Sequence, residues 1–494
     1  MVPQDVAVVA GAKGAQAARG PAGALPLAVD LDGTLIATDT LWESVLLLAR
    51  KNPLALLLLP FWTAQGKAHL KSRLADHVLP NVAAFPYRPE VLAHVEQARA
   101  AGRPVLLLTA SDQRVADAVR THLGLFDEAI GSDGERNMRG EAKRRLLEER
   151  YGPRGFAYAG DSPADVPVWR GAGEAVLVGA SPSLAASAGE AGAVTQIALT
   201  PRGRAGALVK ALRPHQWVKN LLLFVAPILG YRLDSLGMVL QTVAAFFAFS
   251  LAASAGYVLN DLLDLESDRQ HSTKKARPFA AARLTIPEGL LLAAACMAGS
   301  LVLSLATRPI FTLAVVGYFV ATVTYSVYLK RKLIVDVVVL ALLFTYRVLA
   351  GGLAVDVPVS FWLLAFSLFL FTGLAFAKRY SDLVRQLAEG KDRVHGRTYA
   401  AVDLPTILSV GSGCGLVAVM VFALYIHSPE VRLLYPRPEA LWFVCPVLLY
   451  WFTRVWFLAA RNELNDDPIV FAIKDRNSYL AGLVAAACLV AAKW

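Results

Sequence analysis

The sequence predicts a soluble α/β domain, a Rossmannoid parallel sheet with a small helical cap, followed by an all-α transmembrane bundle of about nine helices. Three observations carry this. Charge is frequent and apolar runs are short up to about Thr200, whereas long apolar stretches succeed one another from Trp217 almost to Trp494. In the first part short strand patterns alternate with helical ones, which implies a parallel sheet covered on both faces. In the second part Lys and Arg gather between apolar spans. A hydrophobic content of 56% over 494 residues is too high for an ordinary soluble enzyme.

Residues 1–23 are rich in Ala and Gly, lack a signal-peptide pattern and read as a disordered leader. The α/β domain covers 24–195, with strands expected at 25–31, 103–109, 126–131, 155–160 and 175–179 and helices at 112–122 and 141–149. Ligands in such sheets bind at the carboxyl ends of the strands. An insertion at about 41–90 contains the apolar run Pro53 to Trp62, too short to span a bilayer. It reads as a helical cap with its own core, and a cap that also touches a membrane surface is the sharper reading. Residues 196–212 read as a linker, and 213–494 as the bundle.

Spans are expected at 218–233, 237–260, 285–306, 309–329, 333–354, 359–380, 404–427, 439–460 and 472–493. The loops after the even-numbered spans hold most of the base, including Arg269, Lys274, Lys275, Arg277 and Arg283, then Lys330, Arg331 and Lys332, then Arg385, Lys391, Arg393 and Arg397. The positive-inside rule puts these loops and the N-terminal domain in the cytoplasm of a multi-pass protein of the inner (plasma) membrane. The net charge of +10 therefore points to cytoplasmic loops and anionic substrates rather than to nucleic acid. Cys296, Cys414, Cys445 and Cys488 all fall in apolar spans without metal-like spacing.

Asp30-Leu-Asp32-Gly-Thr ends the first strand, Thr109 the second, and Gly160-Asp161-Ser-Pro-Ala-Asp165 a later one, with Lys143 on a helix between. Phosphoryl transfer needs such parts: a carboxylate nucleophile, a second carboxylate for proton transfer, Mg²⁺ and donors for phosphate. The ordered set resembles the haloacid dehalogenase superfamily of phosphatases over about 24–195. The resemblance implies that Asp30 is the nucleophile and Asp32 the general acid/base, and that Thr109 and Lys143 bind phosphate. Asp30, the Asp32 carbonyl and Asp161 would hold Mg²⁺, supported by Asp165. The alternative is a decayed domain kept as a scaffold.

In the bundle, Asn260-Asp261 is followed by Asp264 and Asp268, three and four residues apart, so one helix face would carry all three carboxylates. Crowded carboxylates at the rim of a span suit Mg²⁺ and, through it, a diphosphate. The motif resembles the UbiA superfamily of intramembrane prenyltransferases over about 208–494. The second aspartate motif of that family is reduced here to Asp382, after Lys378-Arg379-Tyr380. Those three residues, Arg213 to Asn220 with Lys219, Tyr257, Lys274, Arg277, Asp336 and Arg347 are together similar to the polyprenyl-phosphate phosphoribosyltransferase branch. That resemblance implies phosphoribosyl pyrophosphate as donor and a polyprenyl (decaprenyl) phosphate as acceptor, with Mg²⁺ on Asp261, Asp264 and Asp268. The fused phosphatase would then remove the 5-phosphate, as in formation of a cell-wall arabinan precursor. The partners implied are these two substrates and membrane lipids, with no nucleic acid; a homo-oligomer is compatible with the sequence. Bland readings stand beside these: Lys378 and Arg379 as membrane-edge anchors, Lys219 as a snorkelling lysine, Arg347 paired with Asp336, and Asp466, Asp467 and Asp475 in a solvated loop. Two rival functions also stand: prenyl transfer from a polyprenyl diphosphate, and a non-enzymatic transporter or scaffold.

Overall fold

The computed structural model describes residues 24–188, 191–199, 203–230, 235–388, 398–464 and 468–494. The leader, Glu389, Lys391, Arg393, Arg397, Asp466 and Asp467 lie outside the described residues. The chain divides into two compact units, Met1–Arg204 with Leu263–Pro287, and Ala205–Leu262 with Glu288–Trp494.

In chain order the first unit contains β1 (Leu27–Val29), α1 (Thr40–Lys51), α2 (Leu59–Ala64), α3 (Lys67–His77), α4 (Pro89–Ala100) and β2 (Val105–Asp112). Then come α5 (Gln113–Leu123), β3 (Glu128–Ser132), α6 (Glu141–Tyr151), β4 (Ala157–Gly160), α7 (Val166–Gly171), β5 (Glu174–Val178), α8 (Pro182–Ser187) and β6 (Ala193–Ile197). The strands form one sheet in the order β3-β2-β1-β4-β5-β6, all pairs parallel. Side chains alternate between two apolar layers. Leu27, Val29, Val105, Leu107, Ala157 and Ala159 face one core, and Ala28, Leu106, Leu108, Tyr158 and Leu177 the other. Burial on both faces is why these strands read as continuous apolar runs. β1 lies between β2 and β4, so the carboxyl ends of three strands adjoin. β6 was not expected; it pairs β5 at the edge of the sheet. The cap consists of α1, a 3₁₀ segment (Pro53–Leu58), α2 and α3, closed on Leu48, Ala55, Trp62, Leu70, Leu74 and Val78.

Beyond β6 the chain forms α9 (Arg204–Leu212), a 3₁₀ segment (Pro214–Phe224), α10 (Val225–Leu229), α11 (Leu236–Leu263) and α12 (Leu265–Gln270), the last within the first unit. Then follow α13 (Ile286–Leu305), α14 (Pro309–Val327), α15 (Val335–Val355), α16 (Phe361–Ala388), α17 (Leu404–Ile426), α18 (Pro429–Leu434), α19 (Val444–Ala460), α20 (Pro468–Lys474) and α21 (Arg476–Lys493). Among the described residues seven helices, not nine, are long and apolar enough to cross a membrane: α11, α13 to α17, and α19. The first expected span is broken, because Pro227 has no N–H for the Leu223 carbonyl and the preceding turn runs as 3₁₀ helix. The ninth is α21, whose 18 residues open on Arg476-Asn-Ser and end on Lys493, so that it is less apolar than the other seven helices. α15 contributes to two apolar cores of this unit, through Val337, Ala341 and Phe344 on one side and Leu343, Ala350 and Ala354 on the other. Gly351 lets the Leu223 backbone approach α15 so closely that a Cβ there would overlap it. That approach brings the 3₁₀ segment, with Lys219 and Asn220, against α15.

Candidate functional site

In the first unit the side chains expected to do phosphoryl chemistry converge at the ends of β1, β2 and β4. Asp30 is 8% exposed and forms an ion pair of 2.8 Å with Lys143 at the start of α6. Lys143 also donates to the Tyr158 hydroxyl (2.7 Å), which donates to Asp165 Oδ1 (2.8 Å). Thr34 donates to Asp161 (3.0 Å). Asp32 turns the other way, accepting from Thr40 N–H (2.8 Å) and Ser111 Oγ (2.8 Å). Thr109, fully buried, donates to Ser111 Oγ at 3.1 Å. Gly33 has φ +77°, and a Cβ there would overlap the Asp161 carboxylate, so the turn admits only glycine.

One carboxylate oxygen each from Asp30, Asp161 and Asp165 lies within 4.8 Å of the others. Burial pushes Asp30 up to about 6, partly opposed by Lys143. Burial, then the charge of Asp39, pushes Asp32 up to about 7, and burial with Asp30 nearby does the same for Asp161. The cluster thus holds more negative charge than Lys143 offsets. Hard oxygen donors with uncompensated charge fit Mg²⁺. The Asp32 carboxylate stands outside this group. From the cap, Lys71 donates to the Ala110 carbonyl (2.6 Å), and burial lowers its ammonium below the usual lysine range.

The rim aspartates differ from expectation. They do not ride on one unbroken helix: α11 stops at Leu263 and Asp264 caps α12. Among the described residues they do not form a three-carboxylate group of the kind built by Asp30, Asp161 and Asp165. Asp261, 2% exposed, accepts from Arg213 at both oxygens (2.5 and 2.8 Å). Asp268, 3% exposed, accepts from Arg277 at 2.6 Å. Their hard oxygens are of the right kind for Mg²⁺, with arginines now supplying the countercharge. Within the second unit, the Arg213 guanidinium lies over the Tyr257 ring (5.4 Å) and Lys330 donates to Asn260 (3.2 Å). Lys274, on a short 3₁₀ turn before Arg277, is half-buried.

Arg347, 4% exposed in α15, does not pair with Asp336. It donates from Nε to Asn220 Oδ1 (3.0 Å), from Nη1 to the Leu343 carbonyl (2.5 Å) and from Nη2 to the Tyr318 hydroxyl (2.6 Å). Its guanidinium also lies over the rings of Phe249, Tyr318 and Phe344, and Lys219 lies over Phe344 from the 3₁₀ segment. These partners are neutral, so a full positive charge sits inside a span beside a second cation. Asp336 instead pairs with Arg379 (2.9 Å) and accepts from the Tyr399 hydroxyl (2.6 Å). Lys378 pairs with Asp382 (2.9 Å), and Tyr380 packs edge-on to Trp456.

Residues 221–488 match the sequence model of the UbiA prenyltransferase family. The chain belongs to the UbiA family. Residues 27–170 match the haloacid dehalogenase-like hydrolase model, so this UbiA protein carries an N-terminal HAD-like domain. It is 39% identical over 473 residues to uncharacterized protein y4nM of Sinorhizobium fredii, covering 95% of this chain and 91% of that one. It is 37% identical over 189 residues to decaprenyl-phosphate phosphoribosyltransferase of Mycobacterium tuberculosis, covering 37% of this chain and 62% of that one. A solved UbiA homolog from Archaeoglobus fulgidus bound to GPP and Mg²⁺ aligns with TM-score 0.44 at 19% identity, over 57% of this chain and 97% of that one.

Several residues of this UbiA protein escaped sequence reasoning as site residues. Ser111 and Tyr158 lie two residues after Thr109 and three before Asp161, each inside a strand pattern that reads as core. Arg213 and Tyr318 meet their partners across 48 and 29 residues, a separation no local spacing reports. Arg269 of α12 pairs with Glu43 of α1 at 2.7 Å, both 8% exposed, so the segment after α11 is bonded to the cap.

Proposed function

We propose that this protein transfers a 5-phosphoribosyl group from phosphoribosyl pyrophosphate to a polyprenyl phosphate, releasing pyrophosphate, and that its HAD-like unit then removes the 5-phosphate. The product is a polyprenyl-phosphoryl ribose of the kind used as a cell-wall arabinan precursor. The observation that carries the reading is Arg347, a buried cation with neutral partners in α15 and Lys219 beside it. Such a charge asks for an anionic ligand, and a phosphorylated donor with a lipid phosphate supplies one. The relatives named decaprenyl-phosphate phosphoribosyltransferase support the same reading.

In the transfer, a phosphate oxygen of the lipid bonds to the ribosyl carbon as the carbon–oxygen bond to pyrophosphate breaks. The nucleophile is already anionic, so no protein base is required. Asp261, Asp264 and Asp268 would hold Mg²⁺, which neutralises charge on the leaving pyrophosphate. Lys219, Arg347, Lys274 and Arg277 orient the phosphates, with Lys378 and Arg379 adding positive charge. In the hydrolysis Asp30 attacks phosphorus and Asp32 gives its proton to the departing ribose oxygen, then takes one from water. A carboxyl near 7 suits that double duty at neutral pH. Asp30, Asp161 and Asp165 would hold Mg²⁺ there, shielding the phosphoryl oxygens, while Lys143 and Thr109 hold the phosphate. The basic loops support a cytoplasmic HAD-like unit at the plasma membrane.

The test supplies labelled phosphoribosyl pyrophosphate and polyprenyl phosphate to proteoliposomes and weighs the lipids by mass spectrometry. Wild type is expected to give the dephosphorylated ribosyl lipid, Asp30→Asn the 5-phosphorylated one, and Asp261→Asn neither. Absence of any ribosylated lipid from wild type, with product formed from a polyprenyl diphosphate and an aromatic acceptor, would overturn the proposal.

A further inference from the structure

The cap exposes an apolar ridge that its own fold does not use. Leu54, Leu57, Leu58 and Phe61 are 76, 71, 42 and 69% exposed. The segment runs as 3₁₀ helix over Pro53–Leu58 and continues as α2. In 3₁₀ helix residues three apart eclipse, and in α-helix residues three and four apart share a face. The spacing 54, 57, 58, 61 therefore makes one stripe. The opposite side of the same segment supplies Ala55 and Trp62 to the cap core, with Leu56 and Leu59 packed against it. Folding of the cap thus accounts for one side and leaves the other bare.

Charge says what covers it. From Asn52 to Gly66 there is no ionisable side chain, and this stretch is bracketed by Arg50 and Lys51 before and Lys67 after. Lys51 and Lys67 are exposed, as is Arg73 further along α3. Between Ser44 and Ala75 the sequence contains five Lys or Arg (50, 51, 67, 71, 73) and no acid. An apolar stripe flanked by cations matches a segment lying in the headgroup boundary of an anionic bilayer, apolar side chains inward and bases at phosphate level. The unit that bears it is joined to the membrane bundle at three chain crossings, after Arg204, Leu262 and Pro287.

We infer that the ridge of Leu54, Leu57, Leu58 and Phe61 seats the cap on the surface of the anionic bilayer that holds the bundle. The inference does not depend on the reaction proposed above.

The test places p-benzoylphenylalanine at position 57, at 61, or at the exposed position 96 of α4, in the full chain, reconstituted in nanodiscs. Ultraviolet light then cross-links each, and the adducts are identified by mass. Lipid adducts are expected at 57 and 61 in roughly fivefold excess over 96, and severalfold fewer when anionic lipid is replaced by phosphatidylcholine. Adducts to this chain or to a second copy, or yields equal to those at 96, would overturn the inference. Equal yields in both lipids would overturn the choice of an anionic surface. Native-like elution of each variant on gel filtration shows that it is folded; both ridge positions are exposed, so neither substitution disturbs the cap core.

Discussion

Replacing Arg347 by Met removes the one charge in α15 that neutral groups hold. The guanidinium is fixed by Asn220, the Leu343 carbonyl and Tyr318, and flanked by three rings. None of these neutralises it, so its field is available to a ligand. A guanidinium and a phosphate charge about 5 Å apart attract by roughly 3 kcal/mol at an effective dielectric of about 20. Lost from the transition state, that is about 10²-fold in kcat/KM for the phosphoribosyl donor. Arg347→Lys keeps the charge but cannot reach Asn220 and Tyr318 together, and is expected to lose about tenfold. Tyr318→Phe, which frees one guanidinium N–H and leaves the charge, should fall between wild type and the lysine variant. The assay is the initial rate of label entering organic-extractable lipid in proteoliposomes, at several donor concentrations. Wild-type kcat/KM in a well-folded Arg347→Met protein would show that the arginine only ties α15 to its neighbours.

The carboxylates of the HAD-like unit give a pH dependence with a definite sign. Asp30, Asp32 and Asp161 sit at about 6, 7 and 7 instead of 3.8. The metal-free fold therefore has its full contribution from them below about pH 4 and loses it as pH rises through 6 and 7; Mg²⁺ affinity runs the other way, weakening about tenfold per pH unit on acidification below 7, measurable by Mg²⁺ titration of phosphate-ester hydrolysis. Tyr158→Phe removes the hydroxyl that shares Lys143 with Asp165, leaving more of the ammonium for Asp30; the acid limb of the phosphatase pH–rate profile should move down by up to about one unit. Asp336→Ala removes the shorter of two carboxylate contacts of Arg379, 7% exposed, and leaves the 3.4 Å one to Asp382; it should cost about 2–3 kcal/mol, seen as a fall of several degrees in the melting of the detergent-solubilised protein, with Asp336→Leu/Arg379→Leu recovering much of it. Leu54→Ser/Leu57→Ser/Phe61→Ser should leave hydrolysis of a small water-soluble phosphate ester unchanged while slowing that of a lipid-linked one severalfold, as followed by phosphate release.

The sheet was legible because β1, β2, β4 and β5 are buried on both faces and so appear as uninterrupted apolar runs between turn residues. β6, Ala-Val-Thr-Gln-Ile, has one neighbour and mostly exposed or half-exposed side chains, so its pattern carried little signal. That Asp30, Lys143 and Asp161 come together was legible from their order along the strand–helix pattern. Ser111 and Tyr158 were not, since hydroxyls inside strands look like any small or aromatic core residue until their partners are known. In the bundle, helical spacing placed Asp261, Asp264 and Asp268 on one face only by assuming a continuous helix, and the break at Asp264 removes that premise. The count of about nine spans is not confirmed among the described residues, where seven helices are long and apolar enough, for a related reason. Hydropathy registers how apolar 218–233 is but not that Pro227 denies it a helical ladder. Arg347 was legible as a buried cation, but its partners were not: Asn220 is brought to it by the close approach at Gly351, and Tyr318 reaches it from α14.

A lipid-linked substrate constrains where a phosphatase can work. Withdrawing a polyprenyl tail into water costs about 0.8 kcal/mol per methylene-sized group, so a tail of tens of carbons does not leave the bilayer on any useful timescale. The phosphorylated headgroup therefore reaches only as far as the membrane surface, and an enzyme acting on it must come there. An independent soluble domain would meet that headgroup at its bulk concentration. The first unit here is joined to the membrane unit at three points and cannot diffuse away, which raises the encounter concentration toward the millimolar range without any new contact. Tethering alone leaves the cap free to turn any face to the lipid. A ridge with an apolar stripe and basic flanks removes that freedom, because only one orientation buries Leu54, Leu57, Leu58 and Phe61. The ridge segment shares its core with α1 and α3, and these two helices carry Thr40 and Lys71, which contact Asp32 and the Ala110 carbonyl. Seating the ridge would thus fix the lid of the phosphatase relative to the bilayer, which is a reason for the apolar run to sit in the cap rather than elsewhere on the domain.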